Sequence, residues 1–210
     1  PLMNALRVRQ TIALYLRWRK EGKLKSLEPY IREERWQSLE DMAAEQNSSL
    51  ADFSSKLRLH LQIGDARDTE LPDNSCDLIL SNNTFEHIYP AVLRGLIQEF
   101  QRVLKPGGVA SHFVDMSDHF AHLDSSISIY HFLRYSPQAW SRIDNSIQPQ
   151  NRWRKAQYLE LLQEEGIDPL ETEDRSGDPE QVKASPLHSS FRRWPPEEIA
   201  VSHTHLVYTK

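Results

Sequence analysis

The sequence is poor in cysteine, in glycine and in long apolar runs. Its 210 residues include one cysteine, Cys76, which excludes an internal disulfide framework and suits a reducing compartment, so we expect a cytoplasmic protein. No apolar run approaches the ~20 residues that a membrane-spanning helix needs. Gly22 is the only glycine before Gly64. The segment that precedes Gly64 therefore cannot form a Gly-x-Gly turn, the usual cradle for a nucleotide.

The charge balance excludes two classes of partner. The formal net charge is −5, so the chain lacks the basic surface that binds nucleic acid or an acidic membrane. Basic residues do cluster within residues 7–25, but such a run is typical of a solvated helix face. We therefore expect a small-molecule substrate, with no nucleic acid and no membrane as partner.

The N-terminal quarter of the chain predicts helices. Apolar residues recur at helical spacing over residues 3–56, with Gly22 as a helix end, Pro29 in the first turn of a second helix, and a third helix over 50–56. We predict a helical N-terminal segment over 1–56 and an α/β domain over 57–210. The helical segment could be a packing layer, a face for a homodimer or a partner subunit, or a lid that selects substrates.

The remainder alternates strand and helix patterns. Residues 57–63 alternate apolar and polar side chains, which predicts a half-buried strand, and residues 77–81 form a short apolar run typical of a central parallel strand. We predict further helices over 90–104, 137–146 and 154–165. Further strands are predicted over 108–115, 167–174 and 198–208, with a loop over 175–189.

Three short motifs stand in order along this domain. Asp65-Ala66 ends the first predicted strand, Asn82-Asn83-Thr84-Phe85-Glu86-His87 follows the second, and Leu104-Lys105-Pro106-Gly107-Gly108 precedes the third. As an ordered set they closely resemble the class I S-adenosylmethionine (SAM)-dependent methyltransferases, in particular the type 11 group. The resemblance implies a Rossmann-like α/β sheet, mostly parallel with an antiparallel last strand. It also implies SAM as cofactor and methyl transfer to oxygen, nitrogen or carbon of a small or medium-sized acceptor.

One part of the family pattern is missing. These enzymes hold the methionine part of SAM on a Gly-rich turn after their first strand, and no such turn precedes Gly64. We therefore expect an N-terminally incomplete methyltransferase sheet with a helical insertion at its N-terminus. The alternative is a non-catalytic, methyltransferase-like module that acts through protein contacts. An uncovered sheet edge would make the chain prone to aggregate.

The resemblance also implies a cofactor site. Asp65 would accept a hydrogen bond from the adenine amino group and the backbone N–H of Ala66 would meet a ring nitrogen. The other residues expected to contact the cofactor flank these two or end the next strand: Gly64, Arg67, Ser81, Asn82 and Asn83. Alternatively, one of the two asparagines caps the following helix, a position that asparagine favours.

The acceptor site is expected beyond the strand ends. We predict His87 and His119 as catalytic residues, because the pKa of histidine suits a general base. Glu86, His122 and Tyr130 are predicted to bind the substrate. The loop at 115–124 holds three aspartates and two histidines, which could contact the substrate, pack the loop, or bind a divalent metal. Since His-x-x-His alone is a weak metal motif, the sequence by itself predicts no metal.

Overall fold

The computed structural model describes residues 4–45 and 48–210. The chain divides into two compact units, residues 1–63 and 64–210. The boundary that we predict from the sequence, between residues 56 and 57, stays a prediction. No helix within the described ranges is long and apolar enough to cross a membrane.

The N-terminal unit is helical, as its periodicity predicts. Helix α1 begins after Asn4, whose side chain accepts a hydrogen bond from the Arg7 N–H at 2.9 Å, a typical N-cap. A reciprocal pair of hydrogen bonds between Ser49 and Asp52 caps α3 in the same way. The helices are α1 (Ala5–Lys20), α2 (Glu33–Ala44) and α3 (Leu50–Leu57). The predicted helical range also includes residues 3, 46 and 47, which lie outside the described residues.

The second unit is built on a four-stranded sheet. Its strands are β1 (Cys76–Asn82), β2 (Leu104–Asp115), β3 (Glu171–Arg175) and β4 (His203–Thr209), in the spatial order β1-β2-β4-β3. Strands β1 and β2 are parallel, whereas β4 runs antiparallel to both of its neighbours. The fold is therefore Rossmann-like α/β with an antiparallel last strand, as predicted.

Residues 64–210 also contain five helices. They are α4 (Pro90–Val103), α5 (Pro137–Ile143), α6 (Lys155–Glu164), α7 (Pro179–Ala184) and α8 (Pro196–Ile199). The main core forms where α4 and α6 bury leucine and isoleucine side chains against alternate residues of β2 and β4. Its fully buried members include Leu93, Ile97, Ala110, Val114, Leu206 and Tyr208.

Two glycines lie near the start of β2, where its pairing with β1 is irregular between Leu104 and Val109. Gly107 has φ +78°, a conformation that L side chains rarely adopt, and a Cβ on Gly108 would lie 2.9 Å from the Lys105 carbonyl oxygen. These constraints explain why Pro106 is followed by two glycines. Strand β2 follows directly on the last residue of α4.

Three strand and loop predictions were wrong. Residues 58–63 form no strand, because Arg58 ends α3 in the left-handed conformation and no sheet partner for them exists in the described ranges. Residues 198–202 do not extend β4, since Pro196 starts the short helix α8 there. The predicted loop over 175–189 contains α7, which Asp178 caps by accepting from the Glu180 N–H. The strand predicted over 167–174 also begins late, at Glu171.

Strand β1 has an uncovered apolar face, from which a prediction about association follows. Its only sheet partner in the described part of the chain is β2, and Leu80 is 68% exposed. We expect Leu80→Lys to reduce self-association, measured by static light scattering over a concentration series, with unfolding free energy changed by less than ~0.5 kcal/mol. The control is Leu170→Lys, at a leucine 67% exposed elsewhere. Equal effects of both substitutions, or a wild-type monomer at every concentration, would contradict the prediction.

Candidate functional site

The site lies at the carboxyl ends of β1 and β2, where ligands bind in open α/β sheets. The two strands are parallel neighbours, with Asn82 paired to Phe113, so the segments that follow them emerge side by side. A single turn at Phe85–His87 follows β1 and a second at His119–His122 follows β2. The fold thereby brings together side chains that are far apart in the sequence.

Five of these side chains form what we call the carboxylate–histidine cluster. The His119 and Asp115 side chains approach to 3.4 Å between Nε2 and Oδ2, and His87 Nε2 lies 3.9 Å from a carboxylate oxygen of Glu86. The His119 ring is 4.9 Å from the His87 ring and 5.5 Å from the His122 ring, centroid to centroid. The cluster therefore comprises Glu86, His87, Asp115, His119 and His122.

The two carboxylates of the cluster have opposite electrostatic surroundings. Burial raises the pKa of Glu86 to about 7, and the nearby charge of Asp115 acts in the same direction. Burial also opposes ionisation of Asp115, but the neighbouring imidazole of His119 and hydrogen bonding from Ser117 outweigh it and lower the pKa of Asp115. The pKa of His119 is raised in turn, chiefly by Asp115.

An irregular segment, residues 148–151, joins the two turns. The side-chain amide of Asn151 donates to the carbonyl oxygens of Phe85 and Ile88, both at 2.8 Å. The Gln150 amide donates to the Ser117 carbonyl oxygen at 2.6 Å. The turn after β1 and the loop after β2 are thus held by one stretch of chain. Sequence reasoning missed this segment, although a run of amide residues around Pro149 is a signal that could have pointed to it.

The predicted adenine contact is exposed and already paired with a neighbour. The Asp65 carboxylate accepts from three N–H groups of Arg67, its backbone N–H, Nε and Nη2, at 2.5–3.0 Å. Hydrogen bonds from Arg67 lower the pKa of Asp65 to about 2. A carboxylate offers about four acceptor positions and Arg67 makes four contacts, two at each oxygen, so an adenine amino group would share or replace one of them. Gly64 and Ala66 lie on either side in the same exposed segment.

The three residues that end β1 differ in what they can offer. Ser81 is bound to the sheet, because its hydroxyl lies 2.8 Å from Nδ1 of His112. Asn83 has φ +48° and its backbone N–H donates to the Phe113 carbonyl oxygen at 2.8 Å. The proposal that an asparagine caps the next helix was wrong, since the residues preceding the two following helices are Thr84 and Tyr89. Asn82 and Asn83 are both exposed.

Tyr130 is not brought to the cluster. Its side chain is 1% exposed and belongs to a separate core group, and its hydroxyl donates to the Ala200 carbonyl oxygen at 2.9 Å. The same hydroxyl accepts from the Asp178 N–H at 3.1 Å. A side chain buried and paired in this way has no surface for a substrate.

Comparison with known proteins finds a family match over part of the chain. Residues 37–111 match the family model described as a methyltransferase domain, and this range contains all of the first two motifs and the Pro-Gly-Gly turn. The predicted resemblance to class I methyltransferases is confirmed. SAM, the cofactor predicted from the sequence, is the methyl donor of this family. The match covers less than half of the chain.

Solved structures of methyltransferases are similar to this chain at low identity. One is geranyl diphosphate C-methyltransferase from Streptomyces coelicolor A3(2), solved with Mg²⁺, geranyl diphosphate and S-adenosyl-L-homocysteine. It is 17% identical, and the match covers 74% of this chain and 57% of that chain with a TM-score of 0.45. A second is a SAM-dependent methyltransferase from Methanosarcina mazei, at 12% identity over 71% of this chain and 66% of that chain, with a TM-score of 0.46. The PH0226 protein from Pyrococcus horikoshii OT3 is also similar, at 15% identity over 76% of this chain and 64% of that chain, with a TM-score of 0.44. The chain thus spans less than two thirds of the length of these proteins.

Proposed function

We propose that the chain carries out SAM-dependent methyl transfer to a small or medium-sized acceptor. The observation that carries this proposal is the family match over residues 37–111, which contains the exposed end of β1 and the segment around Asp65. The acceptor would lie against the carboxylate–histidine cluster, which holds the predicted catalytic residues His87 and His119 and the predicted substrate contacts Glu86 and His122. The cytoplasm remains the location that the single cysteine favours.

The chemistry needs little covalent help from the protein. The methyl carbon leaves the positively charged sulfur of SAM, which keeps the bonding electron pair, and forms its new bond to the acceptor atom. An acceptor hydroxyl or amine loses a proton in the process. The protein therefore has to align the two reactants and provide a place for the proton, which are the tasks of a strand-end site with polar side chains.

Cofactor binding gives the direct test. We expect isothermal titration of the chain with S-adenosylhomocysteine to show saturable binding, and Asp65→Ala to weaken it about tenfold, the effect of losing one hydrogen bond to a charged acceptor. Because Asp65 is half exposed and Arg67 is its only ion-pair partner among the described residues, its loss should cost the fold little.

The matched control is Asp73→Ala. Asp73 is also an exposed aspartate in an ion pair with an arginine, Arg102, at 2.6 Å, but it lies outside the set of residues predicted to bind the cofactor. This variant should bind like the wild type. Folded protein that shows no binding would favour the non-catalytic module, and equal affinity of the Asp65→Ala variant would remove Asp65 from the site.

A further inference from the structure

Glu86 is a buried carboxylate with no hydrogen bond to the part of the chain that the structure describes. It is 3% exposed, and neither of its carboxylate oxygens makes a hydrogen bond within the described ranges. Removing a carboxylate from water is costly unless it gains a cation or hydrogen bonds in exchange. The nearest side chains that could compensate are His87 and His119, which offer ring nitrogens within 4.8 Å of it and of each other.

The orientation of His87 matches that of a metal ligand. Its Nδ1 lies 2.8 Å from the Pro149 carbonyl oxygen, which can only accept, so Nδ1 carries the proton in this contact. The other nitrogen, Nε2, is then left with its lone pair, and it faces Glu86 at 3.9 Å. Metal-binding histidines usually donate their second N–H to a carbonyl or carboxylate in this way.

A second set of donors shares His119 with the first. Asp115, His119 and His122 also bring their ligand atoms within 4.8 Å of one another. The 3.4 Å between His119 Nε2 and Asp115 Oδ2 equals the separation of two ligands that each bind one tetrahedral ion at about 2.1 Å. His119 Nε2 is itself buried with no hydrogen-bond partner among the described residues.

We propose that the carboxylate–histidine cluster binds one divalent first-row transition-metal ion through Asp115, His119 and His122, with His119 as the central ligand and the buried carboxylate of Glu86 as a nearby negative charge. Two imidazoles with one carboxylate suit Zn²⁺, Co²⁺ or Fe²⁺, whereas Mg²⁺ prefers a set of oxygens only. The sequence alone does not reveal this site, because it does not show that Glu86, which follows a different strand, is buried beside His119.

One coordination position of the ion would face a cavity and be open to a further ligand. A cavity of about 300 Å³ is lined by Asp115, His119, His122 and Gln148 together with Leu123. A hydroxyl group of a ligand in this cavity could bind the ion, which would lower the pKa of that hydroxyl. This second step rests on the proposed methyl transfer, but binding of the ion does not, so the two can be tested separately.

Metal binding to the full chain is the test. We expect protein treated with a chelator and then dialysed to take up one equivalent of Zn²⁺ by isothermal titration, and Co²⁺ to give visible absorption bands typical of nitrogen and oxygen ligands. His119→Ala should weaken Zn²⁺ binding about 100-fold or more, since it removes a ligand rather than a supporting contact. His122→Ala, at an exposed side chain whose loss should leave the fold intact, should weaken it at least tenfold.

The control is His60→Ala, which removes an exposed histidine of the N-terminal unit and should leave Zn²⁺ affinity unchanged. Circular dichroism verifies that each variant is folded. The proposal is overturned if the wild type binds no Zn²⁺ at millimolar concentration, or if His119→Ala and His122→Ala both bind it as tightly as His60→Ala. Failure of the proposed methyl transfer would be seen instead in the titration with S-adenosylhomocysteine, which needs no metal.

Discussion

Replacing Arg154 by leucine should lower the free energy of unfolding by about 3 kcal/mol or more. The Arg154 side chain is fully buried and its guanidinium donates to three backbone carbonyl oxygens, those of Met116, Ile199 and Val201. Each buried carbonyl left without a donor costs about 1–3 kcal/mol. Leucine fills part of the space but donates nothing, so all three costs remain.

The contacts of Arg154 also explain why its replacement should loosen two segments of the chain at once. Met116 follows the end of β2, whereas Ile199 and Val201 lie shortly before the start of β4, so one side chain joins two loops that are distant in the sequence. Burial lowers the pKa of Arg154 to about 10, which still leaves the guanidinium charged at neutral pH. Without it, the loop that carries Asp115 and His119 loses its anchor to α8.

Urea unfolding followed by circular dichroism measures this effect. The matched control is Arg193→Leu, at an arginine 58% exposed whose contacts are Glu160 at 3.6 Å and the Trp194 ring at 4.0 Å. Exposed ion pairs contribute little, so the control should change the unfolding free energy by less than ~1 kcal/mol. If both variants lost similar amounts, the buried network would not be the source of the stability.

The elements that the sequence predicts well are those whose signal is local. The apolar run that becomes β1 and the helical period of α4 both predict their elements almost to the observed ends, because each pattern reflects the element's own geometry. Residues 58–63 show the limit of this reasoning. Their alternation is that of a strand, but a strand also needs a neighbour to hydrogen-bond with, and the pattern carries no information about the neighbour.

The site was predictable in its residues but not in its arrangement. The motifs after β1 and β2 point to Glu86, His87 and His119, and the structure places these three together. The burial of Glu86 was not predictable, because its turn is held by hydrogen bonds from Asn151, a residue distant in the sequence. In the sequence, Arg154 looks like an ordinary residue at the start of a helix. Its buried role was not predictable, because its carbonyl partners belong to distant parts of the chain.

Lowering the pH should destabilise the chain through His112, by ~3 kcal/mol between pH 6.5 and pH 4. His112 is fully buried on β2, where its ring stacks on Phe85 at 4.4 Å and on Phe100 at 5.6 Å, centroid to centroid. Burial lowers the pKa of His112 to about 4, and the charge of His205 acts in the same direction. The neutral ring is held by the Ser81 hydroxyl at 2.8 Å and the Tyr208 hydroxyl at 3.3 Å.

The direction of the stability change follows from whether the folded or the unfolded chain binds the proton. Above pH 6.5 the ring is neutral in both the folded and the unfolded chain, so His112 makes no pH-dependent contribution. Between pH 6.5 and about 4 the unfolded chain binds a proton that the folded chain does not, and stability falls by about 1.4 kcal/mol per pH unit as the pH drops. Below pH 4 both states are protonated and the loss is complete.

A comparison with His112→Gln isolates this contribution from those of other titrating groups. Glutamine keeps a polar side chain near the two hydroxyls but does not titrate, so the difference in unfolding free energy between wild type and variant should change by ~3 kcal/mol across the window. Carboxylates such as Glu99, whose pKa is lowered to about 2 mainly by Arg102, affect both proteins equally and cancel. A difference that stays constant from pH 7 to pH 4 would mean that the buried ring gains a proton as easily as an exposed one, and that the core around it opens to water.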